Sequence, residues 1–269
     1  MKTHYLDYAR DDESNSWRYK STGVSYTEVQ KIRNETFSVS NIDTIEQWGF
    51  NSDDREYNLK NTDFYQEKKD WFKISPHAFF SWKPYIILNK LERINDNDIL
   101  VYWDCNPIYR EFTGDWTPFL KNIYENLDMI AGLEVFGLLH RNWTKRDCFE
   151  LMGCTDRKYI INRKQIQASW SVWKKTPKTI KVVTDWLKWC KNENVIRHDI
   201  DSICGKPEYI PSGGYFRHAR DQSVLTNIAV THNCNVISSR HSGLRLNSYF
   251  GKNLDKIANN YTRCAIKTL

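Results

Sequence analysis

Residues 98–106 read Asp-Ile-Leu-Val-Tyr-Trp-Asp-Cys-Asn, and this stretch decides the fold class. Five residues with strand character, Ile99 to Trp103, run directly into Asp104 and Asn106, after which a proline follows. A buried strand that ends in oxygen ligands on a tight turn is how α/β enzymes place a metal ion at the carboxyl edge of a sheet. The pattern alone is weak, because Asp and Asn also begin ordinary turns.

The segments before this stretch predict a parallel sheet with helical connections. Thr3–Tyr8 has the alternation of a first strand, a helix is predicted from the Ser25 capping box to about Thr36, and a second strand around 40–45. Pro84 suits the first turn of a helix that a short turn joins to the central strand. Helix and strand linked in this way form the crossover unit of a parallel sheet. We therefore expect an α/β fold with a mixed, mainly parallel central sheet flanked by helices.

The second half of the chain predicts further strands and helices in a mixed order. Strands are expected over 129–139, 165–173 and 235–238, and helices over 116–126, 144–152, 179–190 and 221–230. The tail from Asn253 has a weak helical pattern. No repeat or linker interrupts the sequence, so we expect one domain over 1–269, with a nucleotide-sugar-binding half (about 1–106) and an acceptor-binding half (about 107–250).

Composition and charge exclude several classes of protein. The formal net charge of +6 favours anionic partners, but the charges are interleaved and no basic block is typical of a nucleic-acid-binding arm. No run of 18 apolar residues exists, so no transmembrane segment is expected, and the first residues lack the apolar region of a secretory signal. Seven cysteines without C-x-x-C spacing indicate reduced thiols in a cytoplasm, with no zinc site.

The usual phosphate-binding loops are absent from the sequence. Neither G-x-G-x-x-G nor a P-loop occurs. An enzyme that binds a diphosphate without a glycine cradle neutralises it with a divalent metal and basic side chains. Asp104 and Asn106 offer the oxygen ligands that Mg²⁺ and Mn²⁺ prefer.

Two motifs together resemble a known family. The stretch Trp-Lys-Pro-Tyr-Ile-Ile-Leu at 82–88, followed by Asp-Ile-Leu-Val-Tyr-Trp-Asp at 98–104, resembles the signature of small glycosyltransferases of the GT-A fold. Relatives are encoded by bacteria and by large DNA viruses of algae, and they include xylosyltransferase-like enzymes of chlorella viruses. Further stretches at 143–147, 165–169 and 218–223 recur in the same order in that group, so the resemblance covers about 80–230.

The resemblance implies a GT-A, Rossmann-like fold and a metal-dependent transfer reaction. The donor would be a UDP-sugar, with xylose as the expected sugar, and the acceptor a hydroxyl of an oligosaccharide or glycoprotein glycan. The protein would be viral and act in the host cytoplasm, with no nucleic acid as partner. The cofactor would be Mn²⁺ or Mg²⁺, acting as a Lewis acid on the departing nucleoside diphosphate.

The resemblance also implies roles for particular residues. Asp104 would bind the metal that bridges the diphosphate, Asn106 replaces the second acid of the family's Asp-x-Asp motif, and His241 would be a third ligand or a phosphate contact. In an inverting enzyme Asp221 would be the general base; in a retaining one it would hold the donor sugar, with Gln222 near the anomeric carbon. Similarity to the chlorovirus enzymes favours inversion.

Further donor contacts are expected along the chain, each with a simpler alternative. A surface lysine is usually solvated, an Asp at a helix start is often only a cap, and a lone loop His usually faces solvent. The expected donor contacts besides the metal ligand Asp104 are Tyr5, Asp7, Arg10, Arg33, Lys83, Lys145, Asp147 and Gln167.

Two other classes of function stay open at this point. Basic and aromatic residues could serve a nucleic-acid-binding module, which predicts clustered Lys and Arg and a steep salt dependence of polynucleotide binding. The neutral Asn106 could instead mark a catalytically inactive carbohydrate-binding protein. Donor hydrolysis in the presence of Mn²⁺ would exclude that last class.

Overall fold

A mixed sheet flanked by helices forms the centre of the protein. The computed structural model describes residues 1–10, 23–36, 42–50, 56–105, 117–155, 162–208, 214–240 and 243–248. The strands are β1 (Thr3–Tyr8), β2 (Thr44–Trp48), β3 (Ile99–Trp103), β4 (Met129–Leu139), β5 (Lys164–Gln167), β6 (Trp170–Lys174), β7 (Asn235–Arg240) and β8 (Gly243–Ser248). The helices are α1 (Tyr26–Thr36), α2 (Asp63–Ile74), α3 (Lys83–Arg93), α4 (Thr117–Asn126), α5 (Arg146–Leu151), α6 (Pro177–Cys190), α7 (Glu193–Ile196) and α8 (Asp221–Thr231). The predicted α/β fold class is confirmed.

The strand order brings several carboxyl ends to one edge of the sheet. The order is β2-β1-β3-β6-β4-β7-β8, with β5 paired to β4 off this path. β1 runs parallel to both β2 and β3, whereas β6 is antiparallel to β3 and β4. β3 and β4 therefore point the same way, and their carboxyl ends lie at the edge where open α/β sheets bind ligands.

The two faces of the sheet are covered by different helices. Along β3, Leu100 and Tyr102 face a core that includes residues of α2, α3, α6 and α8. Val101 and Trp103 face the other core, to which α4 contributes Leu120 among others. This alternation with period two gives the strand two buried faces, as its unbroken apolar sequence predicts.

Three predicted elements differ from those observed. The second strand begins at Thr44 rather than near residue 40, because its register opposite β1 pairs His4 with Thr44. The predicted strand over 165–173 is broken after Gln167, where the chain leaves the side of β4 and inserts between β3 and β4. Thr144 does not cap α5, since its hydroxyl is engaged by other side chains. The tail from Asn253 lies outside the described residues.

The state of the cysteines, and the length and polarity of the helices, agree with what the composition predicts. The six cysteines in the described part of the chain are free thiols, and five of them are buried. None of the helices described is long and apolar enough to cross a membrane.

A buried polar network fixes α8 against the end of β4. His140, which directly follows β4, has its Nε2 3.0 Å from the Asn227 side-chain oxygen and its Nδ1 2.9 Å from the Thr144 hydroxyl. Asn227 in turn donates to the Cys148 carbonyl of α5. Burial lowers the pKa of His140 to about 4, so this ring is neutral in the folded protein at neutral pH.

The bend between β5 and β6 depends on a glycine in β4. A Cβ on Gly132 would lie 2.5 Å from the Gln167 carbonyl oxygen and 2.7 Å from Ile166 Cγ2.

We expect Gly132→Ala to destabilise the protein by about 1–3 kcal/mol through overpacking. Urea unfolding measures this change. Gly153→Ala is the control, because its Cβ would meet no atom within 4 Å and only its φ of +66° is unfavourable. A cost for Gly132→Ala no larger than that of the control would contradict the close approach.

The neutral His140 predicts a loss of stability in mild acid. Its folded-state pKa of about 4 lies below the ordinary 6.5, so the unfolded chain binds a proton that the folded chain does not. Stability from this group is fully present above pH 6.5 and is lost as the pH falls towards 4, by about 3 kcal/mol at most.

Urea unfolding of wild type and His140→Gln from pH 7 to pH 4.5 tests this. The variant should be less stable at pH 7, because two buried contacts are lost, and should lose less on acidification. His218, whose pKa burial lowers well below 6.5, keeps part of the acid sensitivity in both proteins. Parallel stability curves for the two proteins would show that His140 does not titrate in this way.

Candidate functional site

A cavity lies at the carboxyl edge of the sheet, between the end of β3 and the start of α8. Its volume is about 360 Å³. The residues around it come from five regions of the chain, and they include Lys83, Asp104, Gln167, Arg217, Arg220 and Asp221. Asp104, the residue at the centre of the sequence motif, is therefore brought together with Lys83 and Asp221 as the sequence predicts.

The Lys83 ammonium lies between two carboxylates in this cavity. Its Nζ is 3.2 Å from Asp104 Oδ1, 3.1 Å from Asp221 Oδ2 and 3.0 Å from the Ala168 carbonyl oxygen, to which it donates. The lysine is buried at the start of α3. Burial alone would favour neutral lysine, but the two carboxylates outweigh it, and the pKa of Lys83 is raised. The site therefore contains a fixed buried positive charge.

Asp221 is the first residue of α8 and is only 4% exposed. Burial raises its pKa, Lys83 opposes the shift, and the nearby Asp104 carboxylate adds to it, so that the pKa of Asp221 is raised to about 6. A carboxylate with a pKa near the working pH can accept and return a proton. Arg220, not Asp221, occupies the N-cap position of α8.

Asp104 is held by its neighbours but still faces the cavity. The Tyr102 hydroxyl donates to its Oδ1, and its backbone N–H donates to the Ser169 carbonyl at 2.7 Å. Its side chain remains 30% exposed. A turn carboxylate that is fixed on one side and open on the other is arranged to bind a ligand.

Four predicted donor contacts are engaged by other parts of the protein. Arg33 is fully buried and donates to the Trp103 carbonyl at 3.1 Å and the Asp104 carbonyl at 2.9 Å. Tyr5 and Asp7 are also fully buried, and the Tyr5 hydroxyl donates to Asp7 Oδ2 at 3.0 Å. The guanidinium of Arg10 donates to the Pro76 carbonyl. Arg33 thus supports the turn at Asp104 from within, and none of the four residues lines the cavity described above.

Lys145 and Asp147 form a second buried ion pair beside the cavity. Lys145 Nζ lies 3.2 Å from Asp147 Oδ2, and neither side chain lines the cavity. Asp147 also accepts from the Ser202 hydroxyl at 2.7 Å and the Cys204 N–H at 2.9 Å. Its observed contacts therefore tie the segment around residue 203 to α5.

Gln167 and Gln222 line the cavity. Gln222 is oriented by Gln165, a residue to which the sequence analysis gave no role. Gln165 is fully buried, and its side-chain oxygen accepts from Gln222 Nε2 at 2.6 Å. Gln165 Nε2 donates to the Ser223 hydroxyl at 2.9 Å and so reaches α8 twice. The sequence carries no local signal for this role, because Gln165 belongs to the polar set of the alternation over 165–173.

Two arginines at the cavity were also missed. Arg217 and Arg220 line it and directly precede Asp221, in the stretch Arg-His-Ala-Arg-Asp. Two basic residues beside a helix-starting acid are a signal that the sequence does carry. No function was assigned to them because lone surface arginines are common.

Backbone strain is concentrated in two segments that border the cavity. Arg220, directly before α8, has φ +56°, and Ala78, Phe79 and Phe80, shortly before α3, have φ +41°, +59° and +60°. Left-handed backbone at a residue other than glycine costs about 1–3 kcal/mol and clusters at functional sites. Arg220 directly precedes Asp221, and Phe80 precedes Lys83, at the start of α3, by three residues.

Among the described residues at this site, Asp104 is the one predicted ligand that could coordinate a divalent cation. The open Asp104 carboxylate is a hard oxygen donor of the kind Mg²⁺ and Mn²⁺ prefer. Asn106 and His241 lie outside the described residues, and within the described ones no group of three His, Cys, Asp or Glu side chains could hold a metal. The donor chemistry of Asp104 fits such an ion.

Comparisons with known proteins give no name to this arrangement. No protein-family model, no curated protein and no solved structure matches the chain.

Proposed function

We propose that this protein is a glycosyltransferase of the GT-A type that moves a sugar from a UDP-sugar donor to a hydroxyl of a glycan acceptor. One observation carries the proposal: the Lys83 ammonium joins the carboxylate that ends β3 to the carboxylate that begins α8, inside a cavity at the ligand-binding edge of an α/β sheet. The sequence resemblance over about 80–230 assigns the same residues to donor binding and catalysis.

Asp104 is the donor-side residue in this proposal. Together with Asn106 and His241 it would hold Mn²⁺ or Mg²⁺, which when bound offsets the negative charge that develops on the departing diphosphate. Lys83 fixes the orientation of Asp104 through a contact of 3.2 Å and adds a positive charge at the point where the sugar would lie.

Asp221 is the acceptor-side residue. It takes the proton from the attacking acceptor hydroxyl, and the new glycosidic bond forms as the bond to the diphosphate breaks, with inversion at the anomeric carbon. The Lys83 contact at 3.1 Å holds the carboxylate in place, while the pKa raised to about 6 makes it basic enough to take up a proton. Gln222, oriented by Gln165, lies next to it and would contact the sugar.

Three finer parts of the proposal rest on the resemblance alone. They are xylose as the sugar, the host cytoplasm as the location, and the viral relationship. The alternatives of an inactive carbohydrate-binding protein and a nucleic-acid-binding module become outcomes of the tests below.

The donor site is tested by calorimetric titration of UDP, GDP, ADP and CMP, with Mn²⁺ and with a chelator. We expect selective binding of UDP that requires the metal and falls at least tenfold, about 1.4 kcal/mol, in Asp104→Ala. Asp70→Ala is the matched control, because Asp70 is an exposed acid on α2. Asp70→Ala should keep the wild-type melting transition, whereas Asp104→Ala, which removes one of the two carboxylates from the buried Lys83 ammonium, should melt at a lower temperature but remain folded at the temperature of the titration. If Asp104→Ala binds UDP as the wild type does, the donor assignment fails, and salt-sensitive polynucleotide binding would then favour the nucleic-acid alternative.

The base is tested with Asp221→Asn. This change keeps the size of the side chain and removes its ability to take up a proton. We expect UDP affinity within twofold of wild type and a fall in UDP release from UDP-sugars of about 10²–10⁴. Asp185→Asn, a half-buried acid of α6 that does not line the cavity and is likewise paired with a lysine, is the control. Unchanged turnover in Asp221→Asn would remove it from the chemistry, and a product of retained anomeric configuration would make it a sugar-positioning residue.

A further inference from the structure

Two guanidinium groups at the cavity are not matched by a carboxylate. Lys83, Lys145 and Arg33 each have an acidic partner within 4 Å. Among the residues that the structure describes, Arg217 and Arg220 have none. Arg220 Nη2 instead lies 3.4 Å from His198 Nε2. Positive charge at this rim is therefore available to a ligand.

Aromatic rings hold both arginines in place. Arg217 Cζ lies 5.2 Å from the centroid of the Trp143 ring, and Arg220 Cζ lies 5.6 Å from that of Phe80. Stacking orients a guanidinium without consuming its hydrogen-bond donors, so both remain able to bind an anion. Burial lowers the pKa of Arg220; the Asp221 carboxylate opposes this shift, and the nearby Arg217 cation adds to it. An anionic group would relieve this repulsion.

An exposed aromatic platform lies directly beside the arginines. Phe216 is 68% exposed, and its ring stacks on Trp143 with 5.5 Å between centroids and 30° between planes. Its backbone N–H donates to the Asn142 carbonyl at 2.8 Å. A large apolar ring held outward in this way offers a flat surface for the apolar face of a sugar, which reduces its exposure to water.

The strand order places this platform on the side away from the nucleotide-binding half. Relative to Asp104 at the end of β3, strands β1 and β2 lie to one side and β6 and β4 to the other. Trp143 follows β4 closely, and Phe216 stacks on it. A donor whose nucleoside lies over β1 would therefore leave this rim to the acceptor.

We propose that Phe216, Arg217 and Arg220 form an acceptor subsite for a sugar ring that carries an anionic group, a carboxylate or a phosphate ester. The inference rests on the proposed function, whose acceptor it specifies. The sugar stacks on Phe216, and its anionic group accepts charge-assisted hydrogen bonds from Arg217, with Arg220 adding positive charge behind it. Around the cavity, Asp104 and Asp221 already share Lys83, so the two arginines leave an excess of positive charge for this group.

Matched oligosaccharides test the charge requirement by calorimetry. The probes are a glucuronic-acid-containing oligosaccharide, its carboxyl-reduced neutral analogue, and the neutral analogue with a phosphate ester at the same position. We expect wild-type protein to bind at least one charged form about tenfold more tightly than the neutral one, the effect of one charge-assisted contact. The form that binds better identifies the anion.

Variants then assign the residues. Arg217→Gln should bind charged and neutral forms equally, and Phe216→Ala should weaken both, whereas Lys181→Gln, which removes an exposed positive charge on α6, should change neither. UDP affinity should be the same in all three variants. Equal affinity of wild type for charged and neutral oligosaccharides, or no binding of any, would overturn the inference.

The UDP titration separates this inference from the proposed function. If Arg217→Gln weakens UDP as much as the charged oligosaccharide, the pair binds the donor diphosphate and the acceptor assignment is wrong. If wild type binds the charged oligosaccharide through Arg217 but binds no nucleotide, the anionic-sugar subsite holds and the glycosyltransferase proposal fails.

Discussion

The candidate site depends on one buried ammonium group. Taking the Lys83 charge out of water costs several kcal/mol, and this cost is offset only because two carboxylates and a backbone carbonyl meet it at close range. Those partners belong to the end of β3, the start of α8 and the bend between β5 and β6. The ion contacts thus hold four chain segments in one arrangement, since Lys83 itself begins α3. Loss of either carboxylate would weaken this compensation and leave the Lys83 ammonium paired with the other one.

The supports behind this centre explain why its geometry is specific. Arg33 holds the backbone of the turn at Asp104 from below, and Tyr102 holds its side chain. Gln165 reaches α8 from β5, and His140 reaches Asn227 in the same helix. Each contact is made by a buried polar group that would be costly to leave unpaired, so the groups exclude other positions of α8 and of the turn.

Local patterns predicted the parts of this structure that depend on neighbours in sequence. The run of apolar residues before Asp104 identifies a central strand, and the same stretch predicts that Asp104 lies at a sheet edge. The bend after Gln167 was missed because no Gly or Pro occurs there; the space it occupies is left by Gly132, which is 35 residues away in the sequence and approaches it only in the fold. The hydrophobic periodicity of a segment does not show which distant residues approach it closely in the fold.

The buried polar groups could not be assigned from sequence for the same reason. Tyr5 and Arg33 read as donor contacts because they follow strand and helix positions that bind nucleosides in related folds. Their full burial follows from a hydrogen bond between residues 28 apart, and Gln165 meets Gln222 across 57 residues. Tertiary packing determines whether such a polar residue contacts a ligand or supports the fold from within, and a single sequence does not show that packing.

The distribution of charge around the cavity separates its interior from its rim. In the interior, each described cation has an acidic partner, as Lys83 has in Asp104 and Asp221. An anionic ligand could pair with this lysine only by displacing one of these carboxylates. At the rim, Arg217 and Arg220 rest on aromatic rings and no described carboxylate meets them. A tract of nucleic acid would need a longer path of such cations, and the described rim offers two beside a single exposed ring. The anionic sugar that we propose needs one ring surface and one cationic contact, and the exposed Phe216 ring and these two arginines supply them.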